Sequence, residues 1–295
     1  RPESTQQLLV SVKAADGRQT DVTRTAKYRS ETPLIATVDE LGLIEPIRDG
    51  QATIVVEHTG GSIRVPITVK DVDKPTPISF PRDIVPILTK TGCNTGGCHG
   101  KAEGQNGFKL SVFGFDSPAD FAAITKEARG RRVFAAATES SLLLLKGTGR
   151  IPHGGGKKLD EDSLRYRRLA RWVNDGSQFG PSDLPQVVSL EVEPAQRTLS
   201  LKGTQQIRVT AIDAKGERHC VTAEAEYESN APIIAGVDKR GYIDAGENPG
   251  EAAILIRYLG LVAVSRITLP RPGVTFARPP EANIVDTHVW NKLTN

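Results

Sequence analysis

Within ten residues, Thr91-Gly92-Cys93-Asn94-Thr95-Gly96-Gly97-Cys98-His99-Gly100 gathers two thiols and an imidazole. Two thiols can add across the two vinyl groups of haem, and a histidine directly after the second thiol reaches the iron from one face. The common spacing puts two residues between the cysteines. Here there are four, and Gly96-Gly97 offers the conformational freedom for the extra pair to bulge outward. The same side chains admit other chemistry. Cys93, Cys98, His99 and His153 also count as a two-cysteine, two-histidine zinc set, although adjacent ligation by Cys98 and His99 is awkward for one tetrahedral ion. A Cys93–Cys98 disulfide is a further reading.

The chain contains no methionine. A His/Met iron pair, which raises the potential, is therefore impossible within it, leaving histidine, another donor or an open position as the second axial ligand. His153 leads, because it follows Pro152 and precedes three glycines, a loop where backbone can approach a flat cofactor closely. It could instead be an ordinary turn histidine or bond a propionate. Lys157, Lys158 and Arg150 flank that loop and could pair with haem propionates or be plain surface charge.

Helical patterns surround these residues. Phe80 to Lys90 carries Ile84, Ile87 and Leu88 at helical spacing after an early proline. Ser117, as N-cap, opens a helix through Arg129, and Glu139 to Lys146 is a short third. Asp160 to Asn174 is the clearest, with Leu164, Leu169, Trp172 and Val173 on one face and Gly176 to end it. The string Cys93-Asn94-x-Gly96-x-Cys98-His99-Gly100, then Gly104-x-x-Gly107-Phe108-x-Leu110-Ser111, then His153-x-Gly155-Gly156 resembles the planctomycete cytochrome c-like domains. That resemblance covers about residues 80–180. It implies a small all-α unit with one covalent haem c and His99 as proximal ligand.

On either side the chain repeats itself. Residues 5–45 match 204–244 at a constant offset of 199. Val22-Thr23-x-x-Ala26-x-Tyr28-x-Ser30 pairs with Val221-Thr222-x-x-Ala225-x-Tyr227-x-Ser229, and Ile35-Ala36-x-Val38-Asp39-x-x-Gly42-x-Ile44 with Ile234-Ala235-x-Val237-Asp238-x-x-Gly241-x-Ile243. Gly50-x-Ala52 then matches Gly250-x-Ala252. Alternating apolar residues separated by turn signals such as Asp16-Gly17, Lys215-Gly216 and Gly60-Gly61 predict a β-sandwich in each copy. The pattern resembles the group 2 bacterial immunoglobulin-like domain. The second copy has an extra leading strand, Val188 to Val192, so the first is expected to be truncated at its front. By this alignment Cys220 takes the place of Asp21, which argues against a shared role and leaves it a buried inert thiol. His219 and His58 fall where the other copy has unrelated side chains, and His288 lies in the tail; all three are read as structural or solvent-facing.

The expected organisation is multidomain. An all-β Ig-like sandwich spans 1–72, an all-α cytochrome c-like haem domain spans 80–180 after the stiff linker Asp73-Lys-Pro-Thr-Pro, and a second all-β sandwich spans 186–271. Residues 272–295 form a tail that opens a following domain. A net charge of +3 gives no case for nucleic acid, and no apolar run reaches the length of a membrane span. Two basic clusters, Arg129-x-Arg131-Arg132 and Arg165-x-Arg167-Arg168-x-x-Arg171, read as solvated helix faces or as docking surfaces for an acidic redox partner. The expected function is electron transfer by an exported c-type haem protein of the periplasm or cell surface rather than an enzyme, its redox partner unidentified. A haem-based sensor or haem enzyme, or a zinc module in a surface adhesion protein, are the alternatives. The Ig-like units would grip surface polysaccharide or a protein.

Overall fold

In each repeat a tyrosine folds back over a glycine. Tyr28 donates to the Thr23 carbonyl at 2.6 Å and Tyr227 to that of Thr222 at 2.8 Å. Gly42 and Gly241 sit beneath these rings at φ +75° and +77°, where a Cβ would meet the ring at 3.0 and 2.8 Å. Both the left-handed backbone and the close approach require glycine. Thr23 and Thr222 accept the Val10 and Val209 amides, each at 2.9 Å. Asp39 and Asp238 each accept two backbone amides of the turn that follows. The recurring residues are thus those that close the same corner and turn twice.

The computed structural model describes residues 3–15, 17–74, 76–181, 183–274 and 276–293. Asp16 of the first expected turn and Pro75 of the expected linker lie outside the described residues. The first β unit holds β1 (Gln6–Gln7), β2 (Ser11–Lys13), β3 (Gln19–Asp21), β4 (Lys27–Ser30), β5 (Ala36–Val38), β6 (Leu43–Pro46), β7 (Gly50–His58) and β8 (Gly61–Val69). These form sheets β1-β6-β5, β4-β7-β8 and β2-β3. The second unit repeats the order after two additional strands, β9 (Val187–Glu193) and β10 (Gln196–Thr198). Its counterparts are β11 (Thr204–Gln206), β12 (Arg208–Asp213), β13 (Arg218–Cys220), β14 (Glu226–Ser229), β15 (Ala235–Val237), β16 (Tyr242–Ala245), β17 (Gly250–Tyr258) and β18 (Leu261–Leu269). β9 pairs antiparallel with β12, and β10 parallel with β18. That cover matters for burial: Ala211 on β12 is 1% exposed, whereas Val12, its counterpart on β2, is 44% exposed.

Between the units run α1 (Val85–Lys90), α2 (Ser117–Thr125), α3 (Leu142–Thr148) and α4 (Leu164–Asn174), and α5 (Ile284–Leu293) closes the described chain. Phe80, Ile84, Leu88, Leu144, Leu169 and Trp172 form the centre of an apolar cluster among the first four. Asp116 rather than Ser117 caps α2, accepting the Ala119 amide at 3.1 Å. Ser163 caps α4 through the Tyr166 amide at 3.2 Å, and Gly176 follows its end at φ +88°.

The expectation of a separate all-α cytochrome c-like domain between two sandwiches is overturned. The chain is 31% strand and 21% helix, the four central helices span only six to eleven residues each, and turns join them. Nor is the segment separate, because its basic side chains are anchored in both β units. Arg168 donates to the Glu3 carbonyl at 2.7 Å and to Glu224 at 3.0 Å. Arg171 grips both carboxylate oxygens of Glu3 at 2.8 Å, and Arg165 donates to the Ala223 carbonyl at 2.6 Å. Lys90 donates to the Ala225 carbonyl and lies over the Tyr227 ring at 4.8 Å. Arg165, Arg168 and Arg171 of α4 therefore form an internal seam, whereas Arg167 stays exposed.

The two β units also clasp each other. The Gln206 amide donates to Asp21 at 2.6 Å, and the Gln7 amide donates to the Cys220 sulfur at 3.3 Å. Gln7 and Asp21 are the repeat counterparts of Gln206 and Cys220, so the contacts are related by a pseudo-twofold. Cys220 thus shares the role of Asp21 as an amide acceptor, contrary to the expectation that the two positions have no common role. Arg24 to Asp238 at 2.8 Å and Arg240 to Asp39 at 2.9 Å complete the clasp.

Candidate functional site

The Cys93 to His99 loop closes on itself. The His99 amide donates to the Cys93 carbonyl at 3.0 Å, and the Cys98 and Gly100 amides both bond the Thr95 carbonyl, at 2.9 and 3.0 Å. At Gly100 a Cβ would fall 2.2 Å from the Asn94 carbonyl, which explains the glycine after the histidine. Gly96 and Gly97 are exposed with open space at each Cβ position. The added pair therefore sits on the outside of the loop, but neither glycine adopts a left-handed φ, so the bulge does not depend on their special freedom.

Cys93 and Cys98 are both free thiols. Cys93 lies 3.2 Å from the Thr91 hydroxyl, and burial pushes its thiol pKa up. The buried Asn94 side chain donates to the Thr89 hydroxyl at 2.8 Å, while its Oδ1 has no partner among the described residues.

His99 and His153 come together across 54 residues of sequence. Their ring centroids are 6.3 Å apart and their planes differ by 6°. His99 Nδ1 is 2.9 Å from the Phe108 carbonyl, and His153 Nδ1 is 2.9 Å from the Gly156 carbonyl. A carbonyl can only accept, so each Nδ1 carries a proton, and in the neutral ring Nε2 keeps its lone pair. That is the arrangement of a histidine prepared to bind a metal, its other nitrogen tied to a backbone acceptor. Burial lowers the His99 pKa, against the opposing effect of the Phe108 bond, which favours the neutral ring that ligation needs.

The spacing permits a test of fit for iron. Two nitrogen–metal bonds of about 2.0 Å, with about 1.1 Å from each nitrogen to its ring centre, require centroids about 6.2 Å apart when both nitrogens point at the metal. The observed separation is close to that figure and the two ring planes are nearly parallel. The four donors do not converge as a zinc set. Among the described residues, the group of three metal-capable side chains whose donor atoms lie within 4.8 Å of one another is Asp213, Glu217 and His219. There Asp213 is occupied in holding a hairpin turn, accepting the Lys215 and Glu217 amides at 2.9 Å.

The flanking cations divide. Arg150 pairs with Glu139 at 3.3 Å, and Lys157 with Asp160 at 2.8 Å. Lys158 stays close to the pair of histidine and thiol, its Cε 3.4 Å from a Cβ position at Gly155 and its charge felt at Cys93. His58 and His288 lie away from this cluster, His58 bonding Thr59 at 3.1 Å on the exposed end of β7.

Sequence reasoning missed the groups that set the imidazoles, because two of them are backbone carbonyls. One signal was present. Gly104 has φ +64°, and a Cβ there would strike the Phe108 carbonyl at 2.5 Å. The Gly104-x-x-Gly107-Phe108 string therefore exists to form the tight turn, bridged between Gln105 and Phe108, that aims this carbonyl at His99.

No protein-family model matches the chain, and no curated protein matches it. Among solved structures it is similar to the surface layer protein SbsC. For domains 1–6 the identity is 12% and the TM-score 0.26, over 88% of this chain and 22% of that one. For domains 4 and 5 the values are 12% and 0.26, over 88% and 78%; for domains 4–9 they are 12% and 0.27, over 89% and 25%. The chain spans about a quarter or less of the two longer structures. Among the described residues no helix is long and apolar enough to cross a membrane.

Proposed function

We propose that the segment from Thr91 to Lys158 holds one covalent haem c, with thioether bonds from Cys93 and Cys98 and axial nitrogens from His99 and His153, and that the protein transfers electrons. The observation that carries this reading is the parallel imidazole pair at 6.3 Å, with both Nδ1 protons tied to backbone carbonyls. Haem iron supplies a one-electron couple. Each thiol adds across a vinyl group, its sulfur to one carbon and its proton to the other. His99 and His153 would both hold the iron, and a histidine pair without methionine would favour a low potential. The Phe108 and Gly156 carbonyls hold each ring in one tautomer and one orientation. Lys158, which has no carboxylate partner among the described residues, is placed to meet a propionate, whereas Arg150 and Lys157 are already paired.

Thioether formation belongs outside the cytoplasm, which supports export to the periplasm or cell surface. There the two β units position the haem segment before a redox partner and contact surface polysaccharide or protein.

The test is maturation in a host that attaches haem c in its periplasm. Purified protein should show a Soret band, retain haem through acid–acetone extraction, and give a reduced spectrum unchanged by carbon monoxide. His153→Ala should open the axial position and let carbon monoxide shift the Soret band. Matured protein without a Soret band, or with extractable haem, overturns the reading.

A further inference from the structure

Arg132 is 4% exposed, although the sequence places it in a run of arginines. Its guanidinium reaches in two directions, donating to the Ala123 carbonyl on α2 at 2.7 Å and to the Gly107 carbonyl at 2.8 Å. It also lies over the Phe108 ring at 4.5 Å. That ring is in turn 4.5 Å from the His99 imidazole, and the Phe108 carbonyl accepts the His99 Nδ1 proton. The Arg132 carbonyl accepts the Leu143 amide at 3.0 Å, tying the residue to α3 as well. Its nearest carboxylate is Glu127 at 3.9 Å, which is 57% exposed, so water screens it while the guanidinium stays buried.

We propose that Arg132 is a positioning residue for His99: it fixes the Gly107–Phe108 turn that sets the imidazole and keeps a permanent positive charge behind that ring. The inference rests on the haem reading for its redox consequence and on geometry alone for its structural one. Two successive separations of 4.5 Å place the charge within about 9 Å of the imidazole. At that range, in a medium of effective dielectric about 20, a unit charge shifts a one-electron equilibrium by about twentyfold. The charge opposes oxidation, so its removal should lower the potential. Loss of the two carbonyl bonds should loosen the ring.

The experiment compares the full chain with Arg132→Lys and Arg132→Met, with far-ultraviolet circular dichroism confirming the fold. In haem-loaded protein, Arg132→Met should move the redox equilibrium about twentyfold towards the oxidised form, about 77 mV for one electron. Arg132→Lys should keep most of the potential while broadening the low-spin electron paramagnetic resonance signal, because it retains the charge without the two-pronged grip. In haem-free protein, nitrogen-15 spectra of His99 should show a single Nδ1-protonated tautomer in the parent and a mixture in both variants. An Arg132→Met protein with the parental potential and a single His99 tautomer overturns the inference. Failure of the parent to take up haem overturns the proposed function, while the haem-free spectra still decide whether Arg132 positions His99.

Discussion

Replacing Arg168 by methionine should destabilise the protein far more than a surface substitution, because its guanidinium is 9% exposed and bridges α4 to both β units. Burial alone would lower its pKa, and Glu224 beside it more than reverses that, keeping the guanidinium charged. Glu224 itself accepts the Tyr258 hydroxyl at 3.2 Å. Arg168→Met removes the bond to the Glu3 carbonyl and leaves the largely covered Glu224 without its guanidinium partner, a loss of about 3–5 kcal/mol for one half of a buried pair. Glu224→Gln should cost less, since the amide oxygen can still accept. The double variant should recover about 1–3 kcal/mol relative to the sum of the single ones, as groups in direct contact do. Urea unfolding followed by the fluorescence of Trp172, which is 1% exposed on the same helix, reports this directly. A cost below about 1 kcal/mol for Arg168→Met, with additive double-variant behaviour, would show that α4 presents a solvated basic face after all.

Other expectations follow from the same seam and from the repeated corners. Burial lowers the Lys90 ammonium pKa to about 7, with Arg165 and Lys239 adding to the effect and Glu226 and Asp238 opposing it. The unfolded lysine titrates near about 10.4, so between these values the unfolded chain binds more protons and stability should rise with pH from about 7 to about 10, by roughly 2–4 kcal/mol. Lys90→Met should flatten that slope in urea titrations; an unchanged slope refutes the assignment. Gly241→Ala should cost about 1–3 kcal/mol, from left-handed backbone strain and a Cβ 2.8 Å from the Tyr227 ring. Pairing it with Tyr227→Leu should relieve part of the loss, as measured by thermal unfolding.

The β units were legible from the sequence because their corners are built from residue types with one geometric use. Gly42 and Gly241 need their backbone conformation, and Asp39 and Asp238 need two amides within reach. The extra strand of the second unit was equally visible, since Val188 to Val192 alternates without a counterpart. Cys93, Cys98 and His99 were read from spacing and His153 from its glycines. What escaped were relations between distant residues. Arg168 meets Glu3 across 165 residues of sequence, and α4 read in isolation shows only a basic stripe. Periodicity recognises each short helix but not what it docks against, which is why the central segment read as a separate all-α domain. Nor does a run of arginines disclose that Arg132 alone turns inward, since burial depends on the carbonyls it finds.

The pseudo-twofold clasp has a mechanical meaning. Residues 72 and 187, which bracket the central segment, belong to units already fastened to each other through Asp21, Gln206, Gln7 and Cys220. A pull between the two β units is carried across that clasp in parallel with the central segment instead of through it in series. Load applied between the units is thus shared between the clasp and the segment from Thr91 to Lys158. The stretch that reaches the spacing between His99 and His153 is reduced by the share the clasp takes, as a hinge pin is relieved when the frame around it takes part of the strain.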